Sequence, residues 1–461
     1  MIFLLITLAM FLSLGLVFLT LVWARPWWII LAALTLASVL ELFQVGVTGL
    51  QYLVNFYPID AVCFVLVGTG VVAFARYRKR IPIDVFPSIF LILMMALNFA
   101  RGINIYGLRP AGNGARDIVY FASPALAIML VRPAMRVDVS RVAHWLAVAG
   151  LCLSGLALLR WTGLLATPEV GFSYQYNMRE VPRVLVSDYA FIIGAAFISA
   201  IYLRIVERRG KWWWAAVWVL GGVTLALQHR SVWASTIVGL MWFLFRTLRL
   251  SPFKLFAAIV GTAIVLGTAM LAVPQVMRGV DKLVTDNSAE VVRSDSTWAW
   301  RVQGYKEAID RMLASEWGDL MIGPPSGWAA NSSGSFASLH IHSRYINTFA
   351  SYGIVGLSFL LAWLGLVAKR VGWPARSARQ RNALQYGGST LLEALLLCLL
   401  VYFVPYFGGM LQGTVLGLIW VAAKYNLDHG GARSVARVNY DYNRAYATAG
   451  LPNYGKAVHD R

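Results

Sequence analysis

Apolar runs of about 20 residues recur along most of the chain, separated by short segments in which Arg, Lys, Gly and Pro collect. A helix of that length crosses the roughly 30 Å hydrocarbon layer of a bilayer. The runs fall at 2–24, 27–46, 59–75, 84–100, 116–131, 141–160, 187–204, 212–228, 231–246, 253–273, 345–368, 387–404 and 408–424. They predict an all-α polytopic membrane protein with about 12–13 transmembrane helices. The first run, Ile2 to Trp23, has no basic flank and no small-residue cleavage site, and is expected to stay as a span.

One interruption is far longer than the others. Residues 274–345 are expected to form a large, partly helical loop between the helices of 1–273 and those of 346–424, with a polar tail at 425–461. Within the loop, Ser296 to Ala314 carries Trp298, Val302, Tyr305, Ile309 and Met312 at spacings of three and four, which predicts an amphipathic helix with Arg301 off the apolar stripe. A turn is expected at Gly323-Pro324-Pro325-Ser326-Gly327. His340-Ile341-His342 stands just before the next span.

Composition agrees: 59% of the 461 residues are hydrophobic and 13% charged, where a soluble domain carries roughly a quarter. The net charge of +19 would point to nucleic acid in a soluble protein. Here the basic clusters, such as Arg76-Tyr77-Arg78-Lys79-Arg80, Arg208-Arg209-Gly210-Lys211 and Lys369-Arg370, lie at the ends of apolar runs. That is the pattern of cytoplasmic loops, and no nucleic-acid partner is expected. Placing each cluster inside puts the long loop outside, together with Arg101 to Arg116 and a segment near 161–186 that holds Arg179 and Arg183. Cys63, Cys152 and Cys398 all fall within apolar runs and are expected to be small core residues.

Arginines concentrated outside run against the positive-inside tendency and ask for a reason. Arg230 lies in the short turn Gln228-His229-Arg230-Ser231 at the membrane surface. It either snorkels to headgroups or presents a guanidinium fork to a phosphate or pyrophosphate. His342 shares that side with Arg230, Arg301 and Arg344; an imidazole titrating near neutrality can take a proton from an attacking hydroxyl. His340 and His342 have no nearby carboxylate or thiolate partner, so no metal site is expected. Glu41 and Glu393 lie in or at the edge of apolar runs, as relay groups of a transporter or as buried structural pairs.

At residues 342–357, His342-Ser343-Arg344-Tyr345-Ile346-Asn347 followed by Tyr352-Gly353-Ile354-Val355-Gly356-Leu357 resembles the His-Asn-x-Tyr-Leu…Tyr-Gly-x-x-Gly-Leu signature of the bacterial O-antigen ligase and O-antigen polymerase superfamily. Arg230-Ser231-Val232-Trp233-Ala234 resembles its Ser-Arg-Gly-x-Trp element, Arg301 with Tyr305 its Arg-x-x-x-Trp element, and Gly323 to Gly327 its Gly-x-Gly-x-Gly turn. Ser343 stands where the family has Asn, His229 replaces the Ser before Arg230, and the turn carries two prolines.

The resemblance implies a GT-C-like glycosyltransferase of the bacterial inner membrane whose active site faces the periplasm. It would take a glycan from an undecaprenyl-pyrophosphate carrier without metal or other cofactor, and invert the sugar. His342 is then the expected catalytic base. Arg230, Arg301, Arg344 and Arg293 are expected on the pyrophosphate, and Tyr345, Trp298 and Trp300 against the glycan. The acceptor is another repeat unit in a polymerase of O-antigen or exopolysaccharide, towards which the arginine-bearing outer loops lean, or lipid A–core in a ligase. Membrane lipids surround it, with a chain-length regulator or flippase as a further candidate partner. From a different class, a transporter or flippase of an anionic solute would use the outer arginines with Glu41 and Glu393.

Overall fold

The computed structural model describes residues 25–43, 57–77, 82–132, 137–165, 184–227, 229–248, 297–328, 342–372 and 383–425. The expected spans 2–24 and 253–273, the tail beyond 425, and Arg179, Arg183, Arg293 and His340 lie outside the described residues.

Every regular element among the described residues is a helix: α1 Pro26–Leu42, α2 Pro58–Tyr77, α3 Phe86–Tyr106, α4 Leu108–Val131, α5 Val139–Trp161, α6 Ser187–Ile205 and α7 Trp212–Ala226. They continue as α8 Arg230–Leu248, α9 Thr297–Leu313, α10 Trp317–Ile322, α11 Arg344–Val371 and α12 Ala383–Tyr402, with α13 over 410–425. Six are long and apolar enough to cross a membrane: α2, α3 with the 3-10 turn before it, α4, α5, α6 and α11. The protein is an all-α polytopic membrane protein. Prolines at Pro26 and Pro58 open α1 and α2, where a missing N–H costs nothing. Asp138 caps α5 by accepting from the Arg141 amide at 2.9 Å.

In α4 and α6, 72% and 78% of the spanning window is buried, against 33–44% in the other four. These two therefore form the inside of the bundle. Around them α5 packs on α6, α8 on α12, and α2 and α3 on α4.

The structure corrects the expected outer loop Arg101 to Arg116. Helix α3 runs on to Tyr106 and α4 starts at Leu108, with only Gly107 (φ 85°) between them. Helical backbone continues there because its polar side chains find partners: Arg101 donates to Asn98 and to Asp319, and Arg116 to Asp60.

The long loop rests on that end of the bundle. Gly323 (φ 85°) ends α10, and a Cβ on it would lie 2.2 Å from the Ser351 carbonyl oxygen. Gly353 (φ 65°, ψ −165°) breaks α11, and a Cβ there would lie 2.5 Å from the Met321 carbonyl. Both positions need glycine, for conformation and for space. The Ser351 carbonyl lies two residues before the break. Asn98 Nδ2 donates to it at 3.1 Å and to Ile322 at 2.6 Å, while the Ser326 amide returns to the Asn98 carbonyl at 2.9 Å.

Helix α9 lies close to where its periodicity placed it, but its docked face is shifted. Val302 is 46% exposed, whereas Ala308 and Met312 are buried with Ala350 of α11. The face is rotated because Arg301, expected off the stripe, turns inward onto an aromatic ring.

Candidate functional site

That ring is Tyr406, in the non-helical stretch 403–409 between α12 and α13. Pro405 within the stretch lacks an amide donor, so the chain cannot continue as helix there. The Arg301 guanidinium carbon stands 4.9 Å from the centre of the Tyr406 ring, and Nη2 lies 3.4 Å from its hydroxyl. One turn further along α9, Tyr305 Oη reaches the Val404 carbonyl at 3.5 Å. Burial raises the Tyr305 phenol above its ordinary value; Arg301 opposes the rise and Tyr406 adds to it. It remains a protonated donor. The Arg301 and Tyr305 pair thus fastens the loop helix to the bundle at one short segment.

His342 meets the same segment from the other direction. It is half-buried two residues before α11, stacked on Phe407 (6.3 Å between ring centres, 8° between planes) and edge-on to Tyr406 (6.3 Å, 66°). The structure therefore brings two of the expected site residues, Arg301 from the loop and His342 from the next span, onto one tyrosine.

Arg344 takes another position. Its side chain is fully buried at the start of α11, with Nε on the Phe407 carbonyl and Nη2 on the Gly408 carbonyl. Its amide donates to Phe403 at 3.0 Å and to Tyr406 at 3.1 Å. The guanidinium lies 4.6 Å from the centre of the Phe121 ring, and the charges of Asp117 and Asp188 face it. These contacts make Arg344 the clasp that shapes the 403–408 segment. Ser343 adds a hydroxyl bond to the Phe403 carbonyl at 3.3 Å.

Tyr345 holds α11 to α12, with Oη on the Leu400 carbonyl at 3.1 Å and its ring edge-on to Phe403. Trp298 and Trp300 lie on the first turn of α9, and their side chains lie outside what is described. Arg230 is half-buried as the first residue of α8. Its neighbour His229 has Nε2 2.8 Å from the Leu185 carbonyl, just ahead of α6. From there Asp188, in the first turn of α6, accepts from Tyr402 Oη at 2.6 Å, and Tyr402 stacks on Tyr406 at 5.1 Å. A continuous set of contacts thus runs from the start of α8 to the Tyr406 platform.

At the site, Arg301 Nε and Arg344 Nη1 are buried without a hydrogen-bond acceptor among the described residues, as Arg160 Nε and Arg204 Nε are elsewhere in the bundle. Buried donors of this kind ordinarily find a partner, so the two at the site are suited to an anion. By contrast Arg101 and Arg116 are engaged with Asp319 and Asp60. The two acids of the apolar runs have partners as well: buried Glu393 accepts from Trp242 at 2.9 Å and pairs with Arg246, and Glu41 accepts from Tyr189 at 3.0 Å.

Sequence reasoning missed Tyr406, Phe407, Tyr402 and Asp188. The one local signal was the Pro405-Tyr406-Phe407-Gly408-Gly409 interruption between two apolar runs, too short for an ordinary loop. Residues 215–361 match the family model described as O-antigen ligase. The match runs from within α7 through α8 and the loop to Leu361 of α11, and it bears out the resemblance to the O-antigen ligase and polymerase superfamily. No curated protein matches the chain.

Proposed function

Taking as premise that this chain carries an O-antigen ligase family domain at residues 215–361, we propose that it is a glycosyltransferase of the bacterial inner membrane. It moves a glycan from an undecaprenyl-pyrophosphate carrier to a sugar hydroxyl on the periplasmic side. The observation that carries this reading is the meeting of Arg301 and His342 at Tyr406, with the Arg301 Nε donor buried and without an acceptor among the described residues.

The step follows from those groups. His342 accepts the proton of the acceptor hydroxyl as its oxygen forms a bond to the anomeric carbon. The bond between that carbon and the pyrophosphate oxygen breaks, and the electron pair leaves with the lipid pyrophosphate. Pyrophosphate is already a competent leaving group, so the protein's task is to hold its growing charge. Arg301 and Arg230 do so with donors fixed in advance, which is where such stabilisation is strongest. Direct displacement inverts the anomeric centre. Arg344 contributes by holding the 403–408 segment, and Nη1 is its one guanidinium nitrogen without an acceptor among the described residues.

The lean towards a polymerase rested on two arginine-bearing outer segments: Arg101 and Arg116 of the first are paired with Asp319 and Asp60, and Arg179 and Arg183 of the second lie outside the described residues. The family match supports transfer of the O-antigen ligase or polymerase type without separating the two. The acceptor is decided by the glycan profile of cells lacking the gene. Single repeat units accumulating on the carrier identify a polymerase; long chains on the carrier but absent from their anchor identify a ligase.

The mechanism is tested by His342→Ala and Arg230→Ala. Each lowers transfer by at least about 100-fold while the protein still inserts. Full activity of both variants in a membrane assay removes the mechanism.

A further inference from the structure

We propose that Tyr406 is a positioning residue that holds the leaving-group arginine and the base in register, an inference that rests on the transfer reading above. It belongs to neither the 215–361 match nor any motif in the sequence. Three of its groups face three different site residues. Its ring lies under the Arg301 guanidinium at 4.9 Å, the same ring meets His342 at 6.3 Å, and its carbonyl accepts the Arg344 amide at 3.1 Å. Its hydroxyl is 3.4 Å from Arg301 Nη2.

Arg301 comes from a loop helix and His342 from the span that follows it. Their separation is therefore set by whatever both touch. Tyr406 is itself fixed from behind: Tyr402 stacks on it with planes 16° apart and is tied to Asp188 at 2.6 Å. Gln412 closes the arrangement, accepting from the Gly409 amide at 2.8 Å and donating to the Asp188 carbonyl at 3.4 Å. A guanidinium on a long flexible stem gains most from such a seat, because a misplacement of about 1 Å can cost on the order of 100-fold in rate. A cation over an aromatic face keeps its N–H edge open to a phosphate while its plane is held.

The test uses the full chain in nanodiscs, with undecaprenyl pyrophosphate as the probe and binding read by titration. Tyr406→Leu is expected to weaken binding about 10-fold, the loss of one held cation–π contact. Tyr406→Phe, which keeps the ring, is expected to lose about 2- to 3-fold. Tyr402→Phe, which keeps the ring and removes the hydroxyl bonded to Asp188, falls in the same direction. In an Arg301→Ala background none of these substitutions is expected to weaken binding further, because each acts through Arg301. Additive losses in that background, or wild-type binding by Tyr406→Leu, overturn the positioning role. If Tyr406→Leu does not accumulate, Tyr406→Phe and Tyr402→Phe decide by the same comparison. Should the unmodified chain neither bind the probe nor transfer glycan, the transfer reading falls and the positioning role falls with it. An unaffected Tyr406→Leu beside a weakened Arg301→Ala sinks the positioning role alone.

Discussion

Replacing Gly353 by alanine tests whether the long loop is held by the break in α11. At φ 65° and ψ −165° an L-residue is strained by about 1–3 kcal/mol. The new Cβ would also lie 2.5 Å from Met321 backbone atoms and 2.6 Å from the Leu320 carbonyl, which cannot turn aside as a side-chain tip could. Relief requires α10 and the Gly323 turn to move off α11. That motion breaks the Asn98–Ile322 and Arg101–Gly323 bonds, at about 1 kcal/mol each. The Arg101–Asp319 pair, about 30% exposed on each side, adds at most a few tenths after solvent screening. The docked turn should therefore lose on the order of 3–5 kcal/mol. Hydrogen exchange of residues 317–328 in nanodiscs reads this directly, because local opening sets the rate. Exchange should accelerate by at least about 100-fold, and glycan transfer should fall with it. Gly365→Ala is the control on the same helix: a Cβ added there would meet nothing within 4 Å, and it should leave exchange unchanged. Wild-type protection of 317–328 in Gly353→Ala would refute the docking argument.

Other outcomes follow from the same geometry. Arg344→Ala leaves two carbonyls without donors and two carboxylates without their cation, so it should destabilise by about 3–5 kcal/mol; thermal unfolding in detergent checks this. Half-buried Arg230→Ala should stay within about 1 kcal/mol in that assay. Transfer should be unchanged by EDTA, because guanidinium donors carry the charge of the leaving group; loss of activity restored by Mg²⁺ would refute that assignment.

The elements that were legible in the sequence are those with a local pattern. Helix α9 showed itself by spacing, the Gly323 to Gly327 turn by composition, and His342 by its place at the mouth of a span. What was not legible depends on contacts between distant segments. Arg301 looked solvent-facing because its hydrophobic neighbours set the apparent stripe, and only Tyr406, about a hundred residues later, explains its inward turn. Arg101 and Arg116 looked available because Asp319 and Asp60 stand far off in sequence. Arg344 resembled another phosphate ligand, since no pattern reveals that the carbonyls of Phe407 and Gly408 take its donors. Nothing local sets Tyr406 apart from the aromatics that the ends of apolar runs commonly carry.

The Asn98 side chain has a consequence for biogenesis. Its amide joins Ile322 and Ser351, so a residue made early in synthesis closes on two stretches made more than two hundred residues later. A ribosome that has finished α10 has supplied the turn but not its receptor, and the seat is completed only when α11 enters the bilayer. The Gly323 turn therefore reaches its final seat only after α11 has followed it out of the ribosome.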